Sequence, residues 1–371
     1  MQFIDLRTQQ ARIRDRINRR IETVLDHGKY INGPEVLELE NKLADYIGVK
    51  NCISCSSGTD ALLIPLMAKG IGVGDAVITT PFTYIATAEV IALLGAEPVF
   101  ADIYPSTFNI DPSKIEDAVQ LAKNKGLDPK AIIPVDIFGL PARYRLIKEV
   151  AKKYDLFIIE DAAQSFGSSI RGIKAGLFGN VASTSFFPAK PLGCYGDGGA
   201  IFTNDADLAQ KMESIKIHGS GSDKYDNIRI GINGRLDTIQ AAILLEKLEI
   251  FNDELILRNN VADYYRNNLN TKLQKPIIPN EYQSSWAQFS ILAESIAARE
   301  VVMSNLTKAN IPNMIYYRIP LHLQGVFSKL NYKIGDFPIA EKIAGQIFSI
   351  PMHPYLHEEQ QDKILEILNN E

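Results

Sequence analysis

Cysteine is scarce in this chain, which contains three in 371 residues. So few thiols cannot form a disulfide scaffold and are typical of a reducing compartment, so we expect a cytoplasmic protein. Cys52 and Cys55 form a CxxC pair, but no second CxxC is present to complete a zinc site. Because the surrounding NCISCSSG is typical of a short strand, we expect both cysteines to be small core residues.

Positive charge and long hydrophobic runs are also lacking. The 39 Lys and Arg residues are outnumbered by 44 Asp and Glu, and no dense basic patch is present, so nucleic acid is not an expected partner. No apolar run approaches the roughly 18 residues that a membrane span needs. The N-terminal MQFIDLRTQQARIRDR turns polar too soon for a signal peptide. The five histidines are scattered without ligand spacing, so no metal site is expected.

Short apolar runs alternate with helical patterns in the first half of the chain. Continuous apolar strands separated by helices are required by a mainly parallel sheet that is covered on both faces. The predicted fold class is therefore α/β, doubly wound, with seven strands. The runs cover residues 52–55, 76–80, 97–103, 131–137, 156–162, 181–186 and 199–204.

The C-terminal part has a different pattern. A long helical pattern over about 236–269 is followed by the proline-rich KPIIPNEYQ, and the remaining residues predict a small α+β domain. We therefore expect a large α/β domain over residues 1–240, and a second part over 241–371 that contains the long helix and the small domain. Further helices are predicted near 8–27, 34–47, 297–309, 338–348 and 357–369, and further strands at WAQFSILAE and NMIYYRI.

Candidate ligand-binding groups follow the predicted strands, because ligands of open α/β sheets bind beyond the carboxyl ends of the strands. The segment Ser56–Thr59 leads into a helical pattern, which fits either a phosphate site or an ordinary helix cap. Tyr84 follows the second run and fits either a platform for a planar ligand or packing. Asp161 ends an apolar run, where a desolvated carboxylate favours a cationic partner, a capping role or a structural ion pair.

Lys190 is the one formally charged residue between Ala175 and Gly196. It precedes the glycine-rich GCYGDGG, where the backbone can approach a ligand closely. Burial lowers the pKa of a lysine and leaves a neutral amine that attacks carbonyl groups, although a lone lysine often only extends from a loop into solvent. A phosphate site, an aromatic platform, a buried acid and such a lysine are together what pyridoxal phosphate (PLP) requires.

At these residues the chain resembles the nucleotide-sugar aminotransferases, the DegT/StrS group of fold-type I PLP enzymes, and the resemblance covers nearly the whole chain. It implies that Lys190 forms a Schiff base with PLP, that Asp161 binds the pyridine nitrogen and that Gln164 binds the phenolic oxygen. It further implies that Tyr84 stacks on the ring, and that Gly58, Thr59 and Ser185 hold the phosphate. The stretches that carry it are FIDL, GPEVLELE, SSGTDAL, PFTYIATAEVIALLGAEPVFADI, EDAAQSFGS, SFFPAKPLGCYGDGGA, GINGRLDTIQAAIL and IPLHLQ.

The resemblance also implies a homodimer with shared active sites. In this group the loop ahead of the long helix reaches into the neighbouring subunit's site, which here assigns Asn233 to the partner's cofactor pocket and Arg235 to its substrate pocket. Gly234 stands between them where the group often has serine.

The implied reaction is transamination of a 3-keto nucleotide-linked sugar, with glutamate as the amino donor and pyridoxamine phosphate as the intermediate form of the cofactor. FIDLRTQQARI, PAKPLGCYGDGGAIFTND and PMHPYL are most similar to the subgroup that aminates UDP-2-acetamido-2-deoxy-3-oxo-glucuronate for bacterial surface polysaccharide, such as the O-antigen of lipopolysaccharide. An anionic sugar favours a bidentate arginine, so Arg235 and Arg318 are candidate substrate ligands. Tyr317 and His322 are further candidates from the same region.

Three alternatives stay open at this point. A neutral 3-keto-6-deoxyhexose carried on dTDP is the alternative substrate, because Tyr316 and Arg318 stand where histidine and proline are commoner in the glucuronate subgroup. A PLP-dependent sugar dehydratase would have histidine in place of Lys190. A regulatory or binding protein with a silent site is the third, and the acidic charge and lack of a helix-turn-helix signature oppose DNA binding.

Overall fold

The computed structural model describes residues 1–223 and 225–370, which form a central sheet between helices and a smaller C-terminal unit. The strands are β1 Asn51–Cys55, β2 Asp75–Thr79, β3 Glu97–Phe100, β4 Asp128–Ile132, β5 Phe157–Asp161, β6 Ser169–Ile170, β7 Ile173–Lys174, β8 Val181–Ser185, β9 Gly199–Thr203, β10 Tyr282–Gln283, β11 Phe289–Leu292 and β12 Ile347–Ile350. The helices are α1 Leu6–His27, α2 Pro34–Ile47, α3 Gly58–Ala68, α4 Ala86–Leu93, α5 Pro112–Asn124, α6 Tyr144–Tyr154, α7 Ala206–Lys216, α8 Thr238–Asn268, α9 Ile296–Lys308, α10 Pro338–Gln346 and α11 Glu358–Asn369.

The seven predicted apolar runs form one sheet in the order β1-β9-β8-β5-β4-β2-β3. Strand β9 is antiparallel to both of its neighbours, β1 and β8. The other neighbouring pairs in this sheet are parallel. The carboxyl ends of β1, β2, β5 and β8 therefore lie at the same edge of the sheet. The predicted fold class is confirmed, and this edge collects the candidate site residues.

Local sequence explains where α3 and α1 begin. Ser57 caps α3, since its hydroxyl accepts a hydrogen bond from the Asp60 backbone N–H at 3.0 Å. Asp5 caps α1 in the same way by accepting from Thr8 N–H. Helix α1 ends at Gly28, whose φ of 67° is a left-handed conformation that glycine adopts without steric cost.

The long helix α8 belongs to two hydrophobic cores. Ala241, Leu244 and Phe251 pack with Phe186 and other residues of the central sheet. The C-terminal half of the same helix packs with β11, β12, α9 and α11 through a separate buried cluster. The division between residues 240 and 241 stays a prediction.

The structure of the C-terminal unit differs from two predictions made from the sequence. The predicted strand over NMIYYRI (313–319) is wrong, because this segment forms turns and only Met314 bridges to Ser349. The strand that pairs with β11 is instead β12, in antiparallel register with Phe289 opposite Ile350. The pattern predicted a helix over 338–348, but α10 ends at Gln346, one residue after Gly345, and the chain enters β12 directly.

Within the part of the chain that the structure describes, no helix is both long and apolar enough to cross a membrane.

Candidate active site

Asp161 is buried at the carboxyl end of β5, with 4% of its surface exposed. Its Oδ2 accepts a hydrogen bond from the Thr87 hydroxyl at 2.9 Å, and its Oδ1 accepts one from the Ala163 backbone N–H at 3.2 Å. Burial raises the pKa of the Asp161 carboxyl, while these two hydrogen bonds and the charge of Lys190 act in the opposite direction. The carboxylate is thus held in a fixed orientation and its charge is partly compensated.

Lys190 is half-buried in the loop that joins β8 to β9. Its backbone N–H donates to the Phe187 carbonyl at 2.8 Å, and the Phe186 N–H donates to the Gly198 carbonyl at 2.7 Å, so the loop folds back on itself. Burial lowers the pKa of the Lys190 ammonium, and the charge of Asp161 partly offsets this shift. Desolvation therefore favours the neutral, nucleophilic amine over the charged ammonium.

Gly58 lets the start of α3 lie against the end of β8. A Cβ atom at position 58 would lie 2.6 Å from Ser185 Cβ and 2.9 Å from its Oγ. The first N–H groups of a helix have no acceptor within the helix, and that of Asp60 is already taken by Ser57. Gly58 therefore brings the N–H groups at the start of α3 close to the Ser185 hydroxyl, an arrangement that suits an anion.

Gln164 is buried next to Asp161, and its side-chain amide has a fixed orientation. Its Oε1 accepts from the Phe138 backbone N–H at 2.8 Å, so its Nε2 is the donor that faces the Tyr317 hydroxyl at 3.1 Å. Burial raises the pKa of Tyr317, so this phenol stays protonated. The pair presents N–H and O–H groups rather than charges. Tyr84 is 60% exposed beside this pair, with its ring centroid 6.4 Å from that of Tyr317.

The predicted loop residues Asn233 and Arg235 lie beside the segment that precedes α3. Between them, the Gly234 carbonyl accepts from the Ser56 N–H at 3.0 Å. Asn233 is exposed, whereas Arg235 is half-buried and its Nε has no hydrogen-bond partner among the described residues. Arg318 is exposed at the end of the turn that contains Tyr317.

His322 does not lie at a ligand-accessible surface, and its predicted contact with substrate is corrected here. Its side chain is 0% exposed, and its Nε2 lies 3.0 Å from Glu341 Oε1. Its ring packs at 4.7 Å from that of Phe337, and burial lowers its pKa. The motif IPLHLQ predicts a site residue, but this histidine packs against Phe337 and Tyr332, which belong to a hydrophobic cluster.

A buried lysine of α8 holds the loop that carries Lys190. Lys247 Nζ donates to the Gly193 carbonyl at 2.6 Å and lies 4.4 Å from the centre of the Tyr195 ring. The Tyr195 backbone N–H donates to Gln240 Oε1 at 2.9 Å. The loop is therefore attached to α8 at two places. Burial lowers the pKa of Lys247 from 10.5 to about 8.

Replacement of Lys247 by Met, which has a similar shape, is expected to change how stability depends on pH. Between pH 8 and 10.5 the unfolded wild-type chain binds more protons at this residue than the folded chain. Wild type is therefore expected to gain stability relative to the variant across that interval, by about 1.4 kcal/mol for each pH unit. Urea denaturation of both proteins at several pH values measures the difference. A difference that stays constant with pH would show that Lys247 is not desolvated.

The family of the chain follows from comparison with known proteins. The model of the DegT/DnrJ/EryC1/StrS aminotransferase family matches residues 11–369. The chain belongs to this family.

Individual members of the DegT/DnrJ/EryC1/StrS aminotransferase family are similar over the whole chain. The UDP-2-acetamido-2-deoxy-3-oxo-D-glucuronate aminotransferase of Pseudomonas aeruginosa is 50% identical over 96% of this chain and 96% of its own length. The crystal structure of a family member from Brucella abortus has a TM-score of 0.96 and 51% identity, and covers 100% of this chain and 99% of its own. The NtdA structure from Bacillus subtilis with bound cofactor PMP has a TM-score of 0.89 and 30% identity, and covers 99% and 82% of the two chains.

The residues present in this DegT-family aminotransferase fit the cofactor. Any Cβ at position 58 would overlap Ser185, so only glycine lets the start of α3 approach this serine, at the same sheet edge as Asp161. Asp161 and Lys190 lie close enough for the charge of each to affect the pKa of the other. The chain is a PLP-dependent aminotransferase.

Several residues that shape this DegT-family site were not singled out by the sequence analysis. Thr83 and Thr87 lie within PFTYIATAEV, where the motif drew attention to Tyr84 alone. A threonine pair four residues apart at the start of a helix was the available signal. Phe138 acts through its backbone N–H, which donates to Gln164, and Lys247 acts on the backbone carbonyl of Gly193. Residue type does not reveal contacts that involve backbone groups.

Proposed function

We propose that this enzyme transfers the amino group of glutamate to the 3-keto group of UDP-2-acetamido-2-deoxy-3-oxo-glucuronate, in the cytoplasm, for bacterial surface polysaccharide such as lipopolysaccharide O-antigen. The observation that carries the proposal is the 50% identity, over 96% of both chains, to the Pseudomonas aeruginosa enzyme named for that substrate. The arrangement of Lys190, Asp161 and Gln164 at one sheet edge supports the chemistry.

The cofactor would be held by the residues described above. Gly58, Thr59 and Ser185 bind the phosphate, Asp161 binds the pyridine nitrogen, Gln164 donates to the phenolic oxygen and Tyr84 covers the ring. When bound, PLP supplies an electron sink and carries the amino group between the two substrates. Asp161, with its two fixed hydrogen bonds, favours the protonated pyridine nitrogen.

Lys190 has two roles in this proposal. It binds the cofactor covalently in the resting enzyme, and its neutral Nζ then acts as the general base and acid that moves a proton at the reacting carbon. The first half-reaction converts glutamate to 2-oxoglutarate. The second replaces the carbonyl oxygen of the sugar by a hydrogen atom and an amino group, and the oxygen leaves as water.

The carboxylate of the glucuronate is the feature that this site would have to recognise. Arg235 supports that role because its half-buried guanidinium has an Nε without a protein partner in the described part of the chain. Arg318 is the second candidate, since it is exposed one residue after Tyr317. Tyr317 itself faces the site through Gln164 and completes the proposed substrate pocket.

We propose a homodimer in which Asn233 and Arg235 complete the partner's site. A large hydrophobic side chain is exposed beside the site, which supports a covered surface there: Phe187, three residues before Lys190, is 52% exposed.

A panel of 3-keto nucleotide sugars tests the substrate. The panel contains the UDP-linked glucuronate, the same UDP-sugar without the C6 carboxylate, and a dTDP-linked 3-keto-6-deoxyhexose, each with glutamate and PLP. We expect mass spectrometry to show amination of the glucuronate, with kcat/KM reduced about 10- to 100-fold for the uncharged UDP-sugar, because a charge-assisted contact is lost.

Two outcomes would overturn parts of this proposal. Preference for the dTDP-linked sugar would replace the glucuronate by the neutral deoxyhexose. Failure to aminate any sugar, in protein that binds PLP and converts glutamate to 2-oxoglutarate, would remove the nucleotide sugar as substrate.

A further inference from the structure

Two buried threonines form a hydroxyl chain that ends on Asp161. Thr83 Oγ1 lies 3.2 Å from Thr87 Oγ1, and the Thr87 hydroxyl lies 2.9 Å from Asp161 Oδ2. Thr83 is 2%, Thr87 is 1% and Asp161 is 4% exposed, so these hydrogen bonds are shielded from water.

The direction of this hydrogen-bond chain follows from its end. A carboxylate only accepts, so Thr87 commits its single proton to Asp161. The oxygen of Thr87 can then only accept from Thr83, which donates. Hydrogen bonds in such a chain polarise one another, which strengthens the final bond to the carboxylate.

This hydrogen-bond chain is not the arrangement that threonine side chains usually adopt. Threonine in or beside a helix commonly donates to a backbone carbonyl three or four residues earlier. The hydroxyl of Thr87 has no such carbonyl partner among the described residues and instead reaches from α4 to the end of β5. Thr79 offers a contrast, since its buried hydroxyl donates to a backbone carbonyl, that of Ile133, at 2.8 Å and not to a carboxylate.

We propose that Thr87, supported by Thr83, is a positioning residue that keeps Asp161 ionised and directed at the pyridine nitrogen. The Ala163 N–H holds Oδ1 and Thr87 holds Oδ2, so both oxygens are fixed and each keeps a free lone pair. A hydrogen bond to the charged form of a buried acid favours ionisation against the cost of burial. This inference rests on the role of Asp161 in the proposed function.

A double-mutant cycle tests the inference, with PLP as the probe. Thr87→Val, which keeps the shape and removes the hydroxyl, is made in wild type and in Asp161→Asn. PLP dissociation constants and the pH dependence of the absorbance of bound PLP are measured for each protein. Thr87→Val in wild type is expected to weaken PLP binding by about 10- to 100-fold, because a hydrogen bond to a charged group is lost.

The same substitution should have little effect once the carboxylate is absent. In the Asp161→Asn background we expect less than about a twofold further change, since the two residues act as one unit. In Thr87→Val the acidic limb of the plot of PLP absorbance against pH should move to higher pH, because loss of the hydrogen bond from Thr87 raises the pKa of Asp161. Thr87→Ser should restore both the affinity and the limb.

Matched controls separate positioning from folding. Thr79→Val removes a buried hydroxyl from β2 of the central sheet and is expected to leave PLP affinity unchanged. If Thr87→Val does not fold, Thr83→Val tests the same chain, with a smaller shift of the acidic limb in the same direction.

Three results would overturn the inference. Thr87→Val could match Thr79→Val, or it could weaken PLP binding equally in both backgrounds, and either result would make Thr87 merely structural. If instead Asp161→Asn binds PLP with wild-type affinity and pH dependence, the role of Asp161 in the proposed function fails as well.

Discussion

Replacement of Lys190 by alanine is expected to lower kcat for transamination by about 10²- to 10⁴-fold and to abolish covalent attachment of PLP. Both effects follow from one group, since in the proposed mechanism the half-buried amine is the nucleophile that binds the cofactor and the base that moves the proton. Borohydride reduction followed by mass spectrometry of the peptides measures the attachment, and single-turnover kinetics with glutamate measure the proton transfer.

Lys211→Ala is the matched control, because Lys211 is an exposed lysine of α7. We expect it to keep both properties. Reducible attachment of PLP in the Lys190→Ala protein would show that another amine is the nucleophile and would remove Lys190 from the mechanism.

Replacement of Asp161 by asparagine is expected to lower kcat by about 10²- to 10³-fold, the cost of removing one preorganised electrostatic group. The amide has nearly the same shape, and its oxygen still accepts from Thr87, so the fold should be retained. It carries no charge, however, and no longer favours a protonated pyridine nitrogen. Steady-state kinetics with glutamate, together with the absorbance spectrum of the bound cofactor, measure the effect.

Asp102→Asn is the control for this substitution. Asp102 is also a buried aspartate beyond a strand of the sheet, but its carboxylate accepts from the N–H groups of Ile339 and Ala340 at the start of α10. We expect this variant to lose stability and to keep the spectrum of the cofactor. Equal loss of activity in the two variants would mean that Asp161 acts through the fold alone.

The sheet and its functional edge were predictable from sequence because their signal is local. Each buried strand is a short apolar run, and parallel connection places their carboxyl ends together, so Asp161 and Lys190 could be proposed as site residues before their geometry was known. The α8 pattern is equally clear, since the predicted range of about 236–269 contains the observed Thr238–Asn268.

The remaining features depend on contacts between distant segments. The Tyr317 segment has the composition of a strand, but β11 pairs with β12 instead, so tertiary pairing overrides local preference. His322 lies in a family motif, and nothing in that motif indicates that its side chain is buried against Glu341 and Phe337. The partners of Thr87 and Lys247 are 74 and 54 residues away in sequence, and no local pattern contains that information.

The 31-residue helix α8 has a mechanical consequence. One end is packed beneath the loop that carries Lys190 and the other lies inside the C-terminal unit, so the helix connects the two rigidly. A rotation of that unit as a rigid body would have to bend the helix or displace one of its ends.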